Sequence, residues 1–386
     1  GKQPISNRYL VDREQQQDFF PITLGQCVHS GLLKLTQNVP ATELVPKFDW
    51  LTYAEPEPHL DDLVSRLMSL DDIDTNSVIA GVSFKDDSTL MRFEKLGFKT
   101  WRIKENVDLA IGQQGVGVES IQAALTAKKA KEIAKRYGKA DVVFARHILE
   151  HAYDLKDFSF ALQALIKPGG YVVIELPDCS NSIKRKDYTM LWEEHLYYFT
   201  PETFKFSLKQ LGFAVEVFVN YPYPMENSLV AVVKPAKANL QLKESSALNE
   251  RLNSEVALAS EFGRSFQLVK KQIQQKFKQL VEKHGQVAFL GAGHLACTYI
   301  WLFELTPYIS FIVDDNKHKQ GLFMAGSALP IVGSNELYQR QVKVCLLSVN
   351  PLSEQAVTNN NQLFIEQGGQ FLSIFPNSDI HLLGAD

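Results

Sequence analysis

Short apolar runs alternate with stretches of helical periodicity from Ser77 onward. The runs are SVIAGVSF, KTWRI, ADVVFA and YVVIELP. Strands of a parallel sheet are apolar on both faces because helices cover both sides, so such runs are typical of buried parallel strands. FAVEVFV and SLVAVVK follow with only NYPYPMEN between them, which predicts an antiparallel pair that closes the sheet edge. The pattern therefore predicts a doubly wound α/β domain over residues 59–238.

A second α/β domain is predicted at the C-terminal end. Residues 239–284 are polar, with apolar residues at helical spacing, and predict one or two long linker helices. The runs QVAFLGAGHLACTYI, ISFIVDD, KVCLLSV and QFLSIFP then predict a Rossmann-like domain over residues 285–386. Residues 1–58 contain six prolines, a density that breaks long helices and central strands, so we expect a small irregular module there.

Composition narrows the class of function. The chain has 386 residues, 45% of them hydrophobic, and a formal net charge of -4. No block of Lys and Arg points to a nucleic-acid partner, and no apolar run approaches the roughly 20 residues of a membrane span. The cysteines form no CxxC pair, which fits a reducing compartment better than a disulfide scaffold; they are Cys27, Cys179, Cys297 and Cys345. We expect a cytoplasmic enzyme with a small-molecule substrate.

The stretch ADVVFARHILEHAYDLKDFSFALQALIKPGGYVVIELP is the most informative part of the chain. An apolar strand, a loop with His147, Glu150, His151 and Asp154, an amphipathic helix, a KPGG turn and a second strand follow in order. Two glycines suit a tight reversal from a helix into a buried strand. The ordered unit resembles the region of the fourth and fifth strands in class I methyltransferases. The alternative is an ordinary helix-to-strand connection.

The downstream segment LWEEHLYYFTPETFKFSLKQLGF is similar to a segment of the nucleotide-sugar C-methyltransferases. That family has a Tyr-His-Glu-His run here, of which this chain keeps Glu194 and His195. The family's last His removes a proton from the carbon beside a sugar keto group, so the resemblance implies His195 as general base with Glu194 as its neighbour. An imidazole that titrates near neutrality suits this role. The alternative is a structural His195 that packs beside Tyr197 and Tyr198.

The N-terminal segments GKQPISNRYL, FFPITLGQCVHSGLLKLTQNVP and FDWLTYAEPEP resemble the small zinc module with which this family begins. The family draws a substrate-contacting tyrosine from the module, which implies Tyr53, or its neighbour Thr52. A structural zinc ion needs four thiolate or imidazole ligands. The chain has only Cys27 with Ser30 where the family has a pair of cysteines, so we expect no metal.

The same resemblance implies S-adenosylmethionine as the cofactor. The family's Gly-rich turn E-I-G-S-N-D-G-T corresponds to AGVSFKDDSTLM here, with Ser88 in place of the second glycine. Lys104 stands where an acid usually grips the ribose, and Glu105 follows it. Either the turn binds the cofactor in a variant way or binding has been lost. The residues implied to contact the cofactor are Gly81, Ser83, Asp87, Ser88, Glu105, Glu119, Ser120, Arg146 and His147.

GAGHLA follows the strand QVAFL, and Asp314 and Asp315 end the next strand. This is a dinucleotide-binding fingerprint, in which glycines admit a pyrophosphate to a helix N-terminus and an acid binds ribose. The continuation VDDNKHKQGLFMAGSALPIVGSNEL resembles the C-terminal domain of the same family, which is thought to frame the nucleotide-sugar. Alternatively, the glycines serve only tight strand-helix packing. With MENSL replacing the family's HGGSL, the implied substrate contacts are Trp192, Tyr198, Asn227, Gly291, Gly293, His294 and Asp314.

The sequence thus predicts a class I methyltransferase domain followed by a Rossmann-like domain. The resemblance implies C-methylation of a nucleotide-linked keto sugar in carbohydrate biosynthesis. Two alternatives stay open. One is a catalytically silent binding protein that keeps this architecture, and the other is an NAD-dependent oxidoreductase that uses GAGHLA.

Overall fold

The computed structural model describes residues 1–48, 50–51, 55–112, 116–236 and 246–384. The strands of this part of the chain are mostly short. They are β1 (Lys2–Pro4), β2 (Phe19–Pro21), β3 (Leu24–Gln26), β4 (Leu33–Leu35), β5 (Val78–Gly81), β6 (Lys99–Arg102), β7 (Ala140–Arg146), β8 (Ile166–Asp178), β9 (Tyr197–Tyr198), β10 (Phe213–Tyr221), β11 (Asn227–Pro235), β12 (Val287–Leu290), β13 (Ile309–Val313), β14 (Ile331–Val332), β15 (Val344–Leu347) and β16 (Gln370–Ser373).

Most of the helices connect successive strands, and one is much longer than the rest. They are α1 (Ala41–Leu44), α2 (Leu60–Met68), α3 (Asp87–Lys95), α4 (Glu105–Asp108), α5 (Val118–Ala124), α6 (Ala127–Tyr137), α7 (Leu155–Leu165), α8 (Ser180–Arg185), α9 (Pro201–Gln210), α10 (Ser246–His284), α11 (His294–Leu302), α12 (Glu336–Gln339), α13 (Pro351–Asn360) and α14 (Gln362–Glu366). Single turns of 3-10 helix lie at Phe84–Asp86, Leu149–His151, Tyr188–Met190 and Thr306–Tyr308. No helix of the described residues is both long enough and apolar enough to cross a membrane.

The chain divides into two compact units built from interleaved segments. The central unit consists of Gly25–Ser180 and Glu194–Ala257. The terminal unit consists of Gly1–Leu24, Asn181–Glu193 and Leu258–Asp386. The predicted module of residues 1–58 therefore contributes to both units, and the domain boundaries at residues 58, 238 and 284 stay predictions.

The central unit contains a six-stranded sheet in the order β10-β11-β8-β7-β5-β6. β6, β5, β7 and β8 run parallel, whereas β11 pairs antiparallel with both β8 and β10. The predicted antiparallel pair is thus confirmed, and β10 forms the edge. Because β5, β6, β7 and β8 are parallel, their carboxyl ends lie on one edge of the sheet, and the loops after them can converge there.

Side chains of the central strands alternate between two cores. Val143 and Ala145 pack on one face, against a core that includes residues of α5, α6, α7 and α9. Val142 and Phe144 pack on the other face, against residues of α2 and α3. Helices therefore cover both faces, which confirms the predicted doubly wound sheet and explains why the strands are continuous apolar runs.

The KPGG segment differs in detail from the prediction. Its residues belong to β8 rather than to a separate turn, and the pairing of β7 with β8 shifts register at this point. Gly169 has a φ of +81°, which favours glycine. A Cβ on Gly170 would lie 2.9 Å from the carbonyl oxygen of Asp141, so the neighbouring strand approaches too closely for any side chain.

The terminal unit contains a five-stranded, all-parallel sheet in the order β14-β13-β12-β15-β16. Helix α11 begins at His294, within the GAGHLA segment that directly follows β12, as a Rossmann-like domain requires. The predicted linker is a single continuous helix of 39 residues, α10, within the described part of the chain.

Candidate active site

The loop after β5 is stabilised by its own side chains. Asp86 Oδ2 accepts hydrogen bonds from the backbone N–H groups of Val82 at 2.8 Å and Ser83 at 2.9 Å. Ser83 Oγ accepts from the Lys85 N–H at 3.2 Å, which starts the 3-10 turn. Burial raises the pKa of Asp86 to about 6, although these hydrogen bonds and the charge of Arg146 oppose the shift. The amides that would face a ligand at this turn are thus already bonded.

Gly81 and Ser88, two of the predicted cofactor contacts, are placed differently from that expectation. A Cβ on Gly81 would lie 2.8 Å from the Asp86 Cβ, so glycine is needed here for the packing of Asp86. Ser88 lies in the first turn of α3, and its Oγ is buried without a hydrogen-bond partner in the described residues. Its role as a cofactor contact stays a prediction.

A buried charge network connects the ends of β7 and β8. Arg146, which is 1% exposed, pairs through Nε with Glu175 Oε2 at 2.5 Å. Its Nη1 donates to the carbonyl oxygen of Lys85 at 2.7 Å, and its backbone N–H donates to Asp86 Oδ1 at 3.1 Å. Arg146 therefore connects the loop after β5 to β7 and β8 through these hydrogen bonds. Its role as a contact of the cofactor stays a prediction.

Glu175 receives further contacts from His59, His147 and Ser228. His59 Nε2 lies 3.0 Å and His147 Nε2 lies 3.2 Å from Glu175 Oε1, and Ser228 Oγ donates to the same oxygen at 2.7 Å. Burial alone would raise the pKa of Glu175, but the histidine hydrogen bonds and the charges of His147 and Arg146 lower it well below its usual value. Glu175 is therefore an ionised buried carboxylate.

His147 has a left-handed backbone, with φ of +47°, and lies between several acids. Its Nδ1 is 3.7 Å from Glu55 Oε2 and 3.7 Å from Glu150 Oε1. Burial would lower the pKa of His147, but the charge of Glu55, the nearby carboxylate of Glu150 and the hydrogen bond to Glu175 raise it to about 10. Glu55 also pairs with Lys85 Nζ at 2.6 Å. His147 is thus a buried cation at neutral pH.

Two acids meet one arginine at the carboxyl ends of β5 and β6. Arg102 Nε lies 2.7 Å from Asp87 Oδ1, and Arg102 also pairs with Glu105. The Asp87 side chain is 50% exposed and that of Glu105 is 17% exposed, so both reach solvent. These two predicted cofactor contacts are brought together at the sheet edge.

The acid-histidine cluster, defined as Glu119, Glu150, His151 and His195, lies beside this edge. His151 Nδ1 is 2.8 Å from Glu119 Oε1, and its Nε2 is 4.0 Å from Glu150 Oε1. The ring of His195 meets that of His151 edge-on at a centroid distance of 4.8 Å. Burial would lower the pKa of His151, but the nearby charges of Glu119, Glu150 and Glu55 raise it. The predicted base is thus placed against a second histidine.

Sequence reasoning did not select Glu150 and His151 as site residues. They form the single 3-10 turn Leu149–His151 after β7, and both are buried. The signal was present, because polar side chains directly after a buried parallel strand lie at the ligand-binding edge of such sheets. Glu119 and Ser120 lie in the first turn of α5; Glu119 joins the cluster, and Ser120 is half-buried.

The predicted substrate contacts are divided between the two units. Tyr198, on β9, pairs with Leu33, and its ring centroid is 6.4 Å from that of His195. Asn227 begins β11 and donates to Asp178 Oδ2 at 3.3 Å. Glu194 is buried in the central unit, next to His195 in sequence. Tyr53 and Thr52 lie outside the described residues.

In the terminal unit, Trp192 stacks on His294 with ring centroids 4.4 Å apart. Gly291 has a φ of +104°, and a Cβ there would lie 2.9 Å from Ser348 Oγ. Gly293 caps α11, and a Cβ added to it would meet no atom of the described residues within 4 Å. Asp314 Oδ2 accepts from the Ala292 N–H at 2.9 Å and lies 2.9 Å from Lys319 Nζ. Asp314 thus stabilises the glycine loop in the structure.

Two regions of the chain match known protein families. Residues 92–216 match the family of methyltransferase domains, and residues 229–376 match the family of C-methyltransferase C-terminal domains. The C-methyltransferase NovU of Streptomyces niveus is 23% identical, over 97% of this chain and 91% of that protein.

Solved structures similar to this chain include two methyltransferases. The 1,6-didemethyltoxoflavin-N1-methyltransferase of Burkholderia thailandensis is 13% identical, with 48% of this chain and 94% of that chain covered and a TM-score of 0.29. An S-adenosylmethionine-dependent methyltransferase from Anabaena variabilis is 12% identical, with 46% and 84% covered and a TM-score of 0.31.

Proposed function

We propose that the chain methylates a carbon of a nucleotide-linked keto sugar, with S-adenosylmethionine as the methyl donor and His195 as general base. The matches to methyltransferase domains, to C-methyltransferase C-terminal domains and to NovU support the proposal. The observation that carries the proposal is the position of His195, edge-on to His151 beside the carboxyl edge of the parallel sheet. Ligands of open α/β sheets bind at that edge. The proposed place in carbohydrate biosynthesis follows from the substrate class.

The residues at the sheet edge fit the cofactor through side chains. Carboxylates suit ribose hydroxyls, and Asp87 and Glu105 both reach solvent beside Arg102. The oppositely charged pair of Lys85 and Glu55 suits the amino-acid end of the cofactor, which carries both charges. The loop amides of Val82 and Ser83 do not contribute, because Asp86 accepts from both. Binding through side chains is therefore the variant mode that we propose.

The chemistry assigns a proton transfer to His195. When bound, S-adenosylmethionine supplies an electrophilic methyl group. His195 takes the proton from the carbon beside the keto group, and the electron pair of the broken C–H bond is delocalised onto the keto oxygen until the new C–C bond forms. Glu194, buried beside His195 in sequence, is proposed to hold the imidazole in place.

The terminal unit is proposed to hold the nucleotide. Gly293 leaves the N-terminus of α11 open, and helix N-termini bind phosphate through their free N–H groups. The oxidoreductase alternative needs Asp314 to grip a ribose, but Asp314 is bonded to Ala292 and Lys319. Gly291, Gly293 and His294 are the proposed contacts of the diphosphate of the nucleotide-sugar.

Deuterium exchange tests the base without requiring methyl transfer. A thymidine diphosphate keto sugar in D₂O should gain deuterium at the carbon beside the keto group when the wild-type protein is added. His195→Ala should slow this exchange by about 10² or more, whereas His284→Ala, at the end of α10, should not change it. Exchange that persists in His195→Ala would exclude His195 as the base.

Calorimetry with S-adenosylhomocysteine separates an enzyme from a silent binding protein. Both the wild type and His195→Ala should release heat on binding, because His195 is not among the proposed cofactor contacts. If neither protein binds S-adenosylhomocysteine, the silent alternative is correct. A thermal shift with NAD(H) that Asp314→Ala abolishes would support the oxidoreductase instead.

A further inference from the structure

We infer that Glu150, His151 and His195 form a binding site for a divalent transition-metal ion. Each of the three offers a ligand atom, and these atoms lie within 4.8 Å of one another. Glu150 and His151 are buried, and His195 is half-buried. Two imidazoles and one carboxylate are a common set of three protein ligands for a metal ion that keeps an open position.

The state of Glu150 is the first independent support for the site. Its side chain is 1% exposed, and neither carboxylate oxygen has a hydrogen-bond partner in the described part of the chain. The nearest cationic atoms are His147 Nδ1 at 3.7 Å and His151 Nε2 at 4.0 Å. A buried carboxylate without hydrogen bonds is costly, and a bound cation would satisfy both oxygens.

The orientation of His151 is the second support. Its Nδ1 contacts Glu119 Oε1 at 2.8 Å, as an ion pair rather than an aligned hydrogen bond. Nε2 is the nitrogen on the side of Glu150. Metal-binding histidines usually direct their second nitrogen at a carboxylate, which fixes the tautomer and leaves the other nitrogen for the ion. Glu119 occupies that orienting position.

The surrounding charge agrees with a dication. Four carboxylates, from Glu55, Glu119, Glu150 and Glu175, face only two permanent cations, from Lys85 and Arg146.

The consequence for catalysis rests on the proposed function. An imidazole that ligates a metal cannot accept a proton, so the metal-loaded protein should not abstract the sugar proton through His195. The ion would then be a reversible inhibitor that competes for the base. The binding itself is independent of that role and can be measured without any substrate.

Titration of the chelator-treated protein of 386 residues with Co²⁺ and Zn²⁺ tests the site. Co²⁺ should produce visible d–d absorption, and Zn²⁺ should quench it at one equivalent. Glu150→Gln and His151→Ala should each weaken Zn²⁺ affinity by about tenfold or more, and Glu119→Gln should weaken it by about tenfold through loss of orientation. Cys27→Ser and His284→Ala should leave the affinity unchanged.

The outcomes distinguish this site from the proposed function. Absence of stoichiometric Co²⁺ or Zn²⁺ binding, or equal affinity in Glu150→Gln and the wild type, overturns the metal site and leaves the deuterium-exchange result standing. If Zn²⁺ binds as expected but the metal-free protein shows no exchange, the metal site stands and the base assignment fails. Circular dichroism of Glu119→Gln and Glu150→Gln, which keep side-chain shape, checks that the variants fold.

Discussion

Arg146 Nε lies 2.5 Å from Glu175 Oε2, and both side chains are almost completely buried. The pair joins the ends of β7 and β8, and Arg146 also holds the β5 loop through the Lys85 carbonyl. His59 and His147 contact the same glutamate. Removing one member of a buried pair leaves an uncompensated charge, so this contact controls the stability of the whole carboxyl edge.

Arg146→Met should therefore destabilise the protein strongly. We expect a loss of about 3–5 kcal/mol in the free energy of unfolding, measured with denaturant. The matched control is Arg66→Met, which removes a solvent-exposed pair with Asp62 and should lower the free energy of unfolding far less than Arg146→Met does. Equal losses in the free energy of unfolding for the two variants would show that the buried pair stabilises the protein no more than the exposed pair does.

The strands could be predicted because the apolar pattern that identifies a buried strand lies within the residues of the strand itself. Apolar runs such as ADVVFA and YVVIELP identify buried strands, and the pair formed by β10 and β11 follows from a short polar connection. The predicted KPGG turn was wrong in detail, since its residues belong to β8 and lie where the pairing of β7 with β8 shifts register. Helix-to-strand boundaries depend on register with the neighbouring strand, which no local pattern contains.

The site could be predicted only in part. The motif match selected Asp87 in the loop, but the acid that bonds the loop amides is Asp86, because the 3-10 turn aims that side chain backward. Glu119 comes from α5 and His151 from the 3-10 turn after β7, so the two meet only when these elements are packed together. Such long-range contacts follow from topology and not from spacing along the chain.

Glu105→Gln tests binding of the cofactor through side chains. A neutral amide has one acceptor oxygen and no charge, so it binds ribose hydroxyls and Arg102 more weakly than a carboxylate does, and S-adenosylhomocysteine should bind about tenfold more weakly in calorimetry. Glu94→Gln, an exposed change on α3, serves as the control and should bind normally. Unchanged affinity in Glu105→Gln would remove this residue from the proposed cofactor site.

Glu226 should make stability depend on pH. Burial raises its pKa from 4.5 to about 8. Between these values the folded state holds a proton that the unfolded state has released, so stability falls as the pH rises through this window and levels off above it. Glu226→Gln cannot titrate, so its stability relative to the wild type should rise by about 1.4 kcal/mol for each pH unit between about pH 4.5 and about pH 8.

The control for this pH profile is Glu216→Gln, an exposed change on β10. Its unfolding free energy should follow the wild-type profile at every pH. Parallel profiles for Glu226→Gln and the wild type would show that the Glu226 carboxyl titrates alike in the folded and unfolded states, in contradiction to its burial beside Cys179 Sγ at 3.7 Å.

Two glycines have similar backbone conformations but different surroundings, so alanine substitutions at both separate the cost of backbone strain from the cost of a steric clash. Gly31 and Gly97 have φ values of +77° and +89°, so alanine is strained at both and should cost about 1–2 kcal/mol. A Cβ on Gly97 meets no atom of the described residues within 4 Å, whereas a Cβ on Gly31 would lie 2.5 Å from the backbone carbon of Glu255 in α10. Because backbone cannot yield as a side chain does, Gly31→Ala should cost at least about 2 kcal/mol more than Gly97→Ala in denaturant unfolding. Equal losses would mean that α10 can move away from this turn without penalty.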